Sequence, residues 1–482
     1  MSATPSRQAV PADNGEINAQ LVVLGAGPGG YTAAFRAADL GLDVVLVERQ
    51  RSLGGVCLNV GCIPSKALLH IAKVVSDAAS LEQQGISFGP PQLDLQMLRG
   101  WKDGVVAKLT TGLAELARRR GVAVLQGEGR LTGAHTLEVG DTSVKFEHAI
   151  LATGSRTARL PGIPYDDERV MSSTGALALD TLPDRLLVIG GGIIGLELAT
   201  VYDALGSQVT VVELAKQLIP GCDTDLVAPL SRRLAARYAG VHLQTRVEAI
   251  EPAGDGLRAT FAAQGEGDAP AGGVFDRVLV AVGRIPNSDS LGLQHAGVVT
   301  DEAGLVTVDS QQRTSAPDIY AIGDLVGPPM LAHKATHEGK VAAEVIAGHD
   351  VELDVRGIPS VAYTDPEVAW VGLTESEAHR LGKAHRRVSF PWAASGRALA
   401  SGAATGLTKL LVDPDTNRIL GVGIVGSGAG ELIAEGGLAL ELGADTQDVA
   451  LTVHAHPTLS ETFALAAEVA EGTVTDLPPP RS

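Results

Sequence analysis

Cysteine is scarce: three residues in a chain of 482, too few for the disulfide framework of a small secreted domain. Aromatic residues make up only 3% and methionines number four, so the cores must be built from alanine and branched aliphatics. Positive charge is in deficit, with 38 Lys and Arg against 56 Asp and Glu and a net charge of −18. That balance argues against nucleic acid or an anionic membrane as a partner. No uninterrupted apolar run approaches the roughly 18 residues that a membrane span requires. Residues 1–18 lack both the apolar stretch of a signal peptide and the basic bias of a transit peptide. They read as a short disordered lead, and the chain as a cytoplasmic enzyme. What is plentiful is glycine, 58 residues, far above the usual roughly 7%. At about 100–200 residues per domain, the length implies three or four domains.

Glycine is concentrated in two telling places. The apolar run Leu21–Leu24 reads as a buried parallel strand. It leads into Gly25-Ala26-Gly27-Pro28-Gly29-Gly30, then a helical stretch from Tyr31 to about Leu40, and a second strand ending at Glu48. The unit recurs: Leu186–Ile189, then Gly190-Gly191-Gly192-Ile193-Ile194-Gly195, a helix to about Leu205, and a strand ending at Glu213. A lone G-x-G-x-x-G is weak evidence. Two copies, each between strand and helix and followed at equal spacing by an acid, predict two dinucleotide-binding folds. The first glycine permits the turn, the second lets backbone amides approach a pyrophosphate, and the third lets helix and strand pack closely. Glu48 and Glu213 are placed to accept from an adenosine ribose, and their charge disfavours a 2′-phosphate.

Two of the three cysteines, Cys57 and Cys62, lie five positions apart just after Glu48. Buried small hydrophobes are the plain reading of cytosolic cysteines, and no other Cys or His nearby offers zinc-ligand spacing. Pro64 suits the first turn of a helix and sets Cys62 near its N-terminus, where a thiolate is favoured. Inside a chain with two dinucleotide folds, a redox-active pair becomes the stronger reading. Cys222 reads as structural. Near the other end, His454-Ala455-His456-Pro457-Thr458-Leu459-Ser460-Glu461 suggests a helix opening at Pro457. A histidine backed by a carboxylate is a candidate general base, and the residues alone leave His454 and His456 both open.

With these features together, the chain resembles the pyridine nucleotide–disulfide oxidoreductases, and within them the branch that oxidises dihydrolipoamide. The likeness runs from about Gln20 onward and includes 54–66, Met330-Leu331-Ala332-His333, Ala362-Tyr363-Thr364-Asp365-Pro366-Glu367 and the His456 motif. It implies an α/β chain with two Rossmann-like dinucleotide-binding domains, FAD at 19–156 and NAD at 157–284. A central domain at 285–357 and an α+β dimerisation domain at 358–482 complete it. By that resemblance Gly25, Gly27, Gly30 and Glu48 hold the FAD adenosine and pyrophosphate, with Asp324 at the ribityl or pyrophosphate region and Ala332 near the isoalloxazine. Gly129 and Thr153 would line the adenine side. Lys66 would lie near the flavin, paired with Glu197. Gly190, Gly192, Gly195, Glu213, Val247 and Gly283 would bind NAD, and no metal is implied. The resemblance makes Cys57 the interchange thiol and Cys62 the flavin-side thiolate. His456, held by Glu461, becomes the base, contributed across a homodimer with shared active sites. The implied partners are lipoyl domains of a 2-oxo acid dehydrogenase acyltransferase or a glycine-cleavage carrier protein.

Rival readings are weaker. An NADPH-dependent glutathione reductase should carry basic residues around Glu213, where Glu213-Leu214-Ala215-Lys216 has one lysine. Residues 475–482 hold none of the cysteines that mercuric or large thioredoxin reductases add there. A non-catalytic scaffold does not explain why Cys57, Cys62, Lys66, His456 and Glu461 are all present.

Overall fold

The computed structural model describes residues 15–265 and 268–478. Two compact units emerge, each assembled from separate stretches. The first takes the chain up to Ala67 together with Asp94–Ala158 and Gly283–Asp354. The second takes Leu68–Leu93, Arg159–Val282 and the chain from Val355 on. Most of the expected lead lies outside the described residues. Its last three positions depart from the expectation, because Glu16–Asn18 already belong to the first strand, paired with Ser143–Lys145.

In the first unit, strand Glu16–Leu24 lies parallel between Val44–Glu48 and Thr142–Leu151, with Ala123–Gln126 at the outer edge. Leu21, Val22 and Val23 are fully buried, as a parallel strand covered on both faces requires. The long strand Thr142–Leu151 pairs at its start with antiparallel Thr136–Val139 and at its end with parallel Ile319–Ala321. Residues 283–354 are therefore joined to this unit through its sheet. Helix Ala332–Ile346 packs on helix Pro28–Asp39 so closely that a Cβ on Gly339 would lie 2.6 Å from the Gly29 oxygen. The first helix starts at Pro28, earlier than Tyr31, because Gly27 is its N-cap and proline suits the position after it.

The second unit holds an all-parallel sheet ordered Gly240–His242, Gln208–Val212, Arg185–Ile189, Arg277–Val280, Val170–Met171. A three-stranded antiparallel sheet spans Thr245–Phe275. Its C-terminal part is a five-stranded antiparallel sheet ordered Ser360–Ala362, Glu367–Gly372, Ile419–Gly426, Leu407–Val412, Arg386–Pro391. Helices Ala429–Leu442 and Glu461–Glu471 cover it. The scarce aromatics Phe390 and Trp392 are fully buried there. One stretch among the described residues, Gly55–Gln84, is long and apolar enough to cross a membrane by composition. It is not one helix: Gly61 divides it into Gly55–Val60 and Cys62–Ser80.

Candidate active site

The two glycine turns are built alike. Gly25 and Gly190 have φ of +101° and +109°, and a Cβ there would lie 2.4 Å and 2.3 Å from the carbonyls of Ala152 and Ala281. A Cβ on Gly30 or Gly195 would meet the oxygen of the first glycine at 1.8 Å or 2.1 Å. The fold itself demands these four glycines. Gly27 and Gly192 are different: φ is −68° and −79°, and nothing lies within 4 Å of a Cβ. Protein packing does not require glycine at either position. Each is the N-cap of a helix with no side-chain cap, so backbone amides face open space that a pyrophosphate fits.

The acids that follow are anchored. Glu48 accepts the Ala26 amide at 2.8 Å with one oxygen and the Gln50 amide at 2.8 Å with the other. Glu213 accepts Gly191 at 2.6 Å and Ala215 at 2.7 Å. Each carboxylate keeps spare lone pairs for a ribose hydroxyl.

The cysteine segment is fastened to the first turn. The Gly54 amide donates to the Ala26 oxygen at 2.8 Å, and a Cβ on Gly55 would lie 2.6 Å from the Gly27 Cα. Cys57 sits in the short helix Gly55–Val60, and Cys62 opens the 19-residue helix Cys62–Ser80. The absence of a side chain at Gly61 lets the two helices stack, since its Cβ would lie 2.8 Å from the Val56 oxygen. Both cysteines are thiols here, Cys57 half-buried and Cys62 exposed. Their hydrogen bond, then burial, then the neighbouring Cys62 charge push the Cys57 thiol up, with Lys66 opposing. In the reduced pair Cys57 is thus the sulfur that holds its proton, while Cys62 lies at a helix N-terminus, an environment that favours a thiolate.

The two histidines separate cleanly. His454 is 8% exposed, with Nδ1 2.8 Å from the Thr452 oxygen and Nε2 2.6 Å from Glu435. Neither nitrogen is available. His456 is 80% exposed; its Nδ1 lies 2.8 Å from Glu461 Oε1, which leaves Nε2 as the nitrogen available to act as a base. Burial works against ionisation of Glu461, yet the Thr458 amide and the His456 ring outweigh it and hold its carboxyl below the usual range. The expected helix start at Pro457 is corrected. The helix begins at Glu461, because the Thr458 hydroxyl bonds the Ala455 oxygen and its amide bonds Glu461, keeping the segment a loop.

The remaining candidates fall as follows. Asp324 lies in the turn Gly323–Val326 beside Ser155 and Arg284, and Ala332 opens helix Ala332–Ile346. Thr153 and Asn287 are held by reciprocal hydrogen bonds of 3.0 Å and 2.9 Å. Gly129 is buried, with Leu24 filling the space of a Cβ at 2.5 Å. Lys66 is on the helix that Cys62 opens, 3.3 Å from the Ser65 hydroxyl. Glu197 is buried and accepts the Tyr363 amide at 3.1 Å. Val247 pairs with Phe261 beside a bulge, and Gly283 has φ of +124°. Sequence reasoning missed Ser155, Arg284, Lys334 and Glu338. Lys334 and Glu338 form a buried ion pair of 2.7 Å. Glu338 accepts the Gly323 amide at 2.7 Å, and Lys334 bonds the Gly323 oxygen at 3.3 Å.

Comparison with known proteins agrees with this geometry. The pattern of the pyridine nucleotide-disulphide oxidoreductases matches residues 19–339, and that family's dimerisation domain matches 358–467. Dihydrolipoyl dehydrogenase of Vibrio cholerae is 54% identical, over 96% of this chain and 98% of its own length. That of Haemophilus influenzae is 53% identical, over 96% and 97%. Among solved structures, the HOCl-induced flavoprotein disulfide reductase RclA from Escherichia coli superposes with a TM-score of 0.83 at 27% identity. That alignment covers 93% of this chain and 99% of RclA. The chain belongs to the pyridine nucleotide-disulphide oxidoreductase family.

Proposed function

We propose that this chain oxidises protein-bound dihydrolipoamide to lipoamide and reduces NAD⁺, with FAD at the first glycine turn and NAD at the second. The observation that carries it is the presence, in one chain, of the Cys57–Cys62 dithiol and of a histidine whose Nδ1 is held by Glu461 and whose ring is otherwise exposed. The names of the relatives that are about half identical point to the same substrate.

In the working cycle the two cysteines start as a disulfide. Nε2 of His456 takes a proton from one substrate thiol, and the thiolate attacks Cys57 Sγ. The Cys57–Cys62 bond breaks, its electron pair leaves on Cys62, and a mixed disulfide forms at Cys57. The second substrate thiol displaces Cys57 and closes the lipoamide ring, its proton passing to the leaving Cys57 sulfur, so that the pair ends as a Cys57 thiol and a Cys62 thiolate beside protonated His456. The substrate has lost two electrons and two protons, and the cysteine pair has gained the electrons. FAD, when bound, supplies the two-electron passage from that pair to NAD⁺, which leaves as NADH with one proton released. Glu461 keeps the imidazole oriented, with Nδ1 held and Nε2 turned to the substrate. In the homodimer each His456 serves the cysteines of the other protomer. The substrate arm arrives on a lipoyl domain of a 2-oxo acid dehydrogenase acyltransferase or of a glycine-cleavage carrier.

The test is substrate choice by the flavin-loaded enzyme. Dihydrolipoamide with NAD⁺ should give NADH at rates far above those of NADPH with glutathione disulfide or mercuric ion. The reverse preference would overturn the proposal.

A further inference from the structure

Three polar side chains from distant parts of the first unit line up in one sense. Arg284 Nε donates to Ser155 Oγ at 2.6 Å, Arg284 Nη2 donates to the Ser155 carbonyl at 2.7 Å, and Ser155 Oγ donates to Asp324 Oδ2. A guanidinium can only donate and a hydroxyl has one proton. With its lone pair engaged by Arg284, the Ser155 hydroxyl must give that proton to Asp324. Ser155 is 3% exposed, and the Arg284 and Asp324 side chains are 16% and 21% exposed. The guanidinium is 3.6 Å from Oδ2, so its charge supports the anion while the hydroxyl sets the direction. Among the described residues no donor reaches Oδ1. On the backbone side Gly323, with φ of +73°, is gripped by Glu338 and Lys334. Asp324 is thus held through Oδ2 by Ser155 and through the preceding backbone by Glu338 and Lys334, leaving Oδ1 to accept a further donor.

We propose that Ser155 and Arg284 are positioning residues for Asp324, fixing its Oδ1 as the acceptor for a hydroxyl of the bound flavin dinucleotide. The inference rests on the FAD assignment above. A bare ion pair between Arg284 and Asp324 would satisfy both charges but leave the carboxylate free to rotate. The interposed hydroxyl removes that freedom. Hydrogen bonds to charged groups are the stronger ones, and about 1.4 kcal/mol is tenfold in affinity.

The experiment is a double-mutant cycle on FAD binding, titrating FAD into the full-length, flavin-stripped protein and following flavin fluorescence. Asp324→Asn and Ser155→Ala should each weaken binding about tenfold or more. The double variant should be no weaker than Asp324→Asn alone, because Ser155 acts only through Asp324. Arg284→Lys should stay within a few-fold of wild type, whereas Arg284→Gln should behave like Ser155→Ala. Wild-type affinity in Ser155→Ala, with Asp324→Asn impaired, would overturn the positioning role and leave the FAD assignment standing. Losses that multiply in the double variant would also overturn it, since Ser155 would then act on the fold at large. Wild-type affinity in Asp324→Asn would overturn both the positioning role and the placement of FAD at Asp324.

Discussion

Glu48 and Glu213 hold the same pair of hydrogen bonds in two different sheets. Each carboxylate grips the amide of the second residue of its glycine turn and the amide two residues beyond itself. The acid is part of the turn's architecture, and in the proposed nucleotide sites it would also accept a ribose hydroxyl. Glu213→Arg should therefore act twice. It should lower overall nucleotide use by loosening the Gly191 turn, and it should shift the NADP-to-NAD ratio of kcat/KM upward by tenfold or more, since charge repulsion against a 2′-phosphate is removed. Steady-state kinetics with both nucleotides checks it; an unchanged ratio would mean that Glu213 does not reach the ribose.

The two histidines should behave in opposite ways. His456→Ala should cut kcat/KM for dihydrolipoamide by about 10²–10⁴-fold, the usual weight of a positioned base, with stability unchanged because the ring is exposed. His454→Ala should leave turnover within several-fold but lower stability by about 1–3 kcal/mol, since it strands Glu435. Urea unfolding and kinetics on the two variants separate these outcomes.

Lys409 is 2% exposed and lies 2.7, 2.8 and 2.9 Å from Asp223, Asp225 and Glu375. This acidic trio has the spacing of a metal site, but the Lys409 ammonium bonds all three members. Lys409→Met should cost about 3–5 kcal/mol by leaving buried Asp223 and half-buried Asp225 and Glu375 uncompensated. Burial raises the Asp225 carboxyl, yet Lys409 and Arg387 outweigh it and hold it below its ordinary value of 3.8. Its stabilising share is therefore present above that value and lost as pH falls below it. An acid-unfolding midpoint that does not move in Lys409→Met would contradict this assignment.

The proposed sharing of each site between subunits predicts complementation. If Cys57→Ser and His456→Ala chains exchange subunits, about half the dimers are mixed, and each mixed dimer has one intact site. Two nearly inactive parents should then yield about a quarter of wild-type activity. No recovery after proven exchange would place both residues of each site in one chain.

Much of this was readable in the sequence because it is local. The glycine turns, their following acids and the helix that Cys62 opens all depend on residues within about one βαβ unit. Ser155 and Arg284 escaped notice because the contacts that tie them to each other and to Asp324 span 129 and 169 positions, and a lone serine or arginine carries no periodic signal. The choice between His454 and His456 turned on Glu435, which is 19 residues upstream on another element. The helix start near Pro457 was misplaced for a similar reason. Proline marks a permitted helix position, but the side-chain bonds of Thr458 and Glu461 decided where the helix begins.

The most direct measurement of the central claim compares the visible spectra of the flavin-loaded Cys57→Ser and Cys62→Ser variants in the absence of substrate. With Cys57 as the interchange thiol and Cys62 as the flavin-side thiolate, Cys57→Ser should show long-wavelength absorption from a thiolate lying against the bound flavin. Cys62→Ser should show none, and both should lose lipoamide turnover. The band in Cys62→Ser and its absence in Cys57→Ser would contradict the assignment of the two sulfurs.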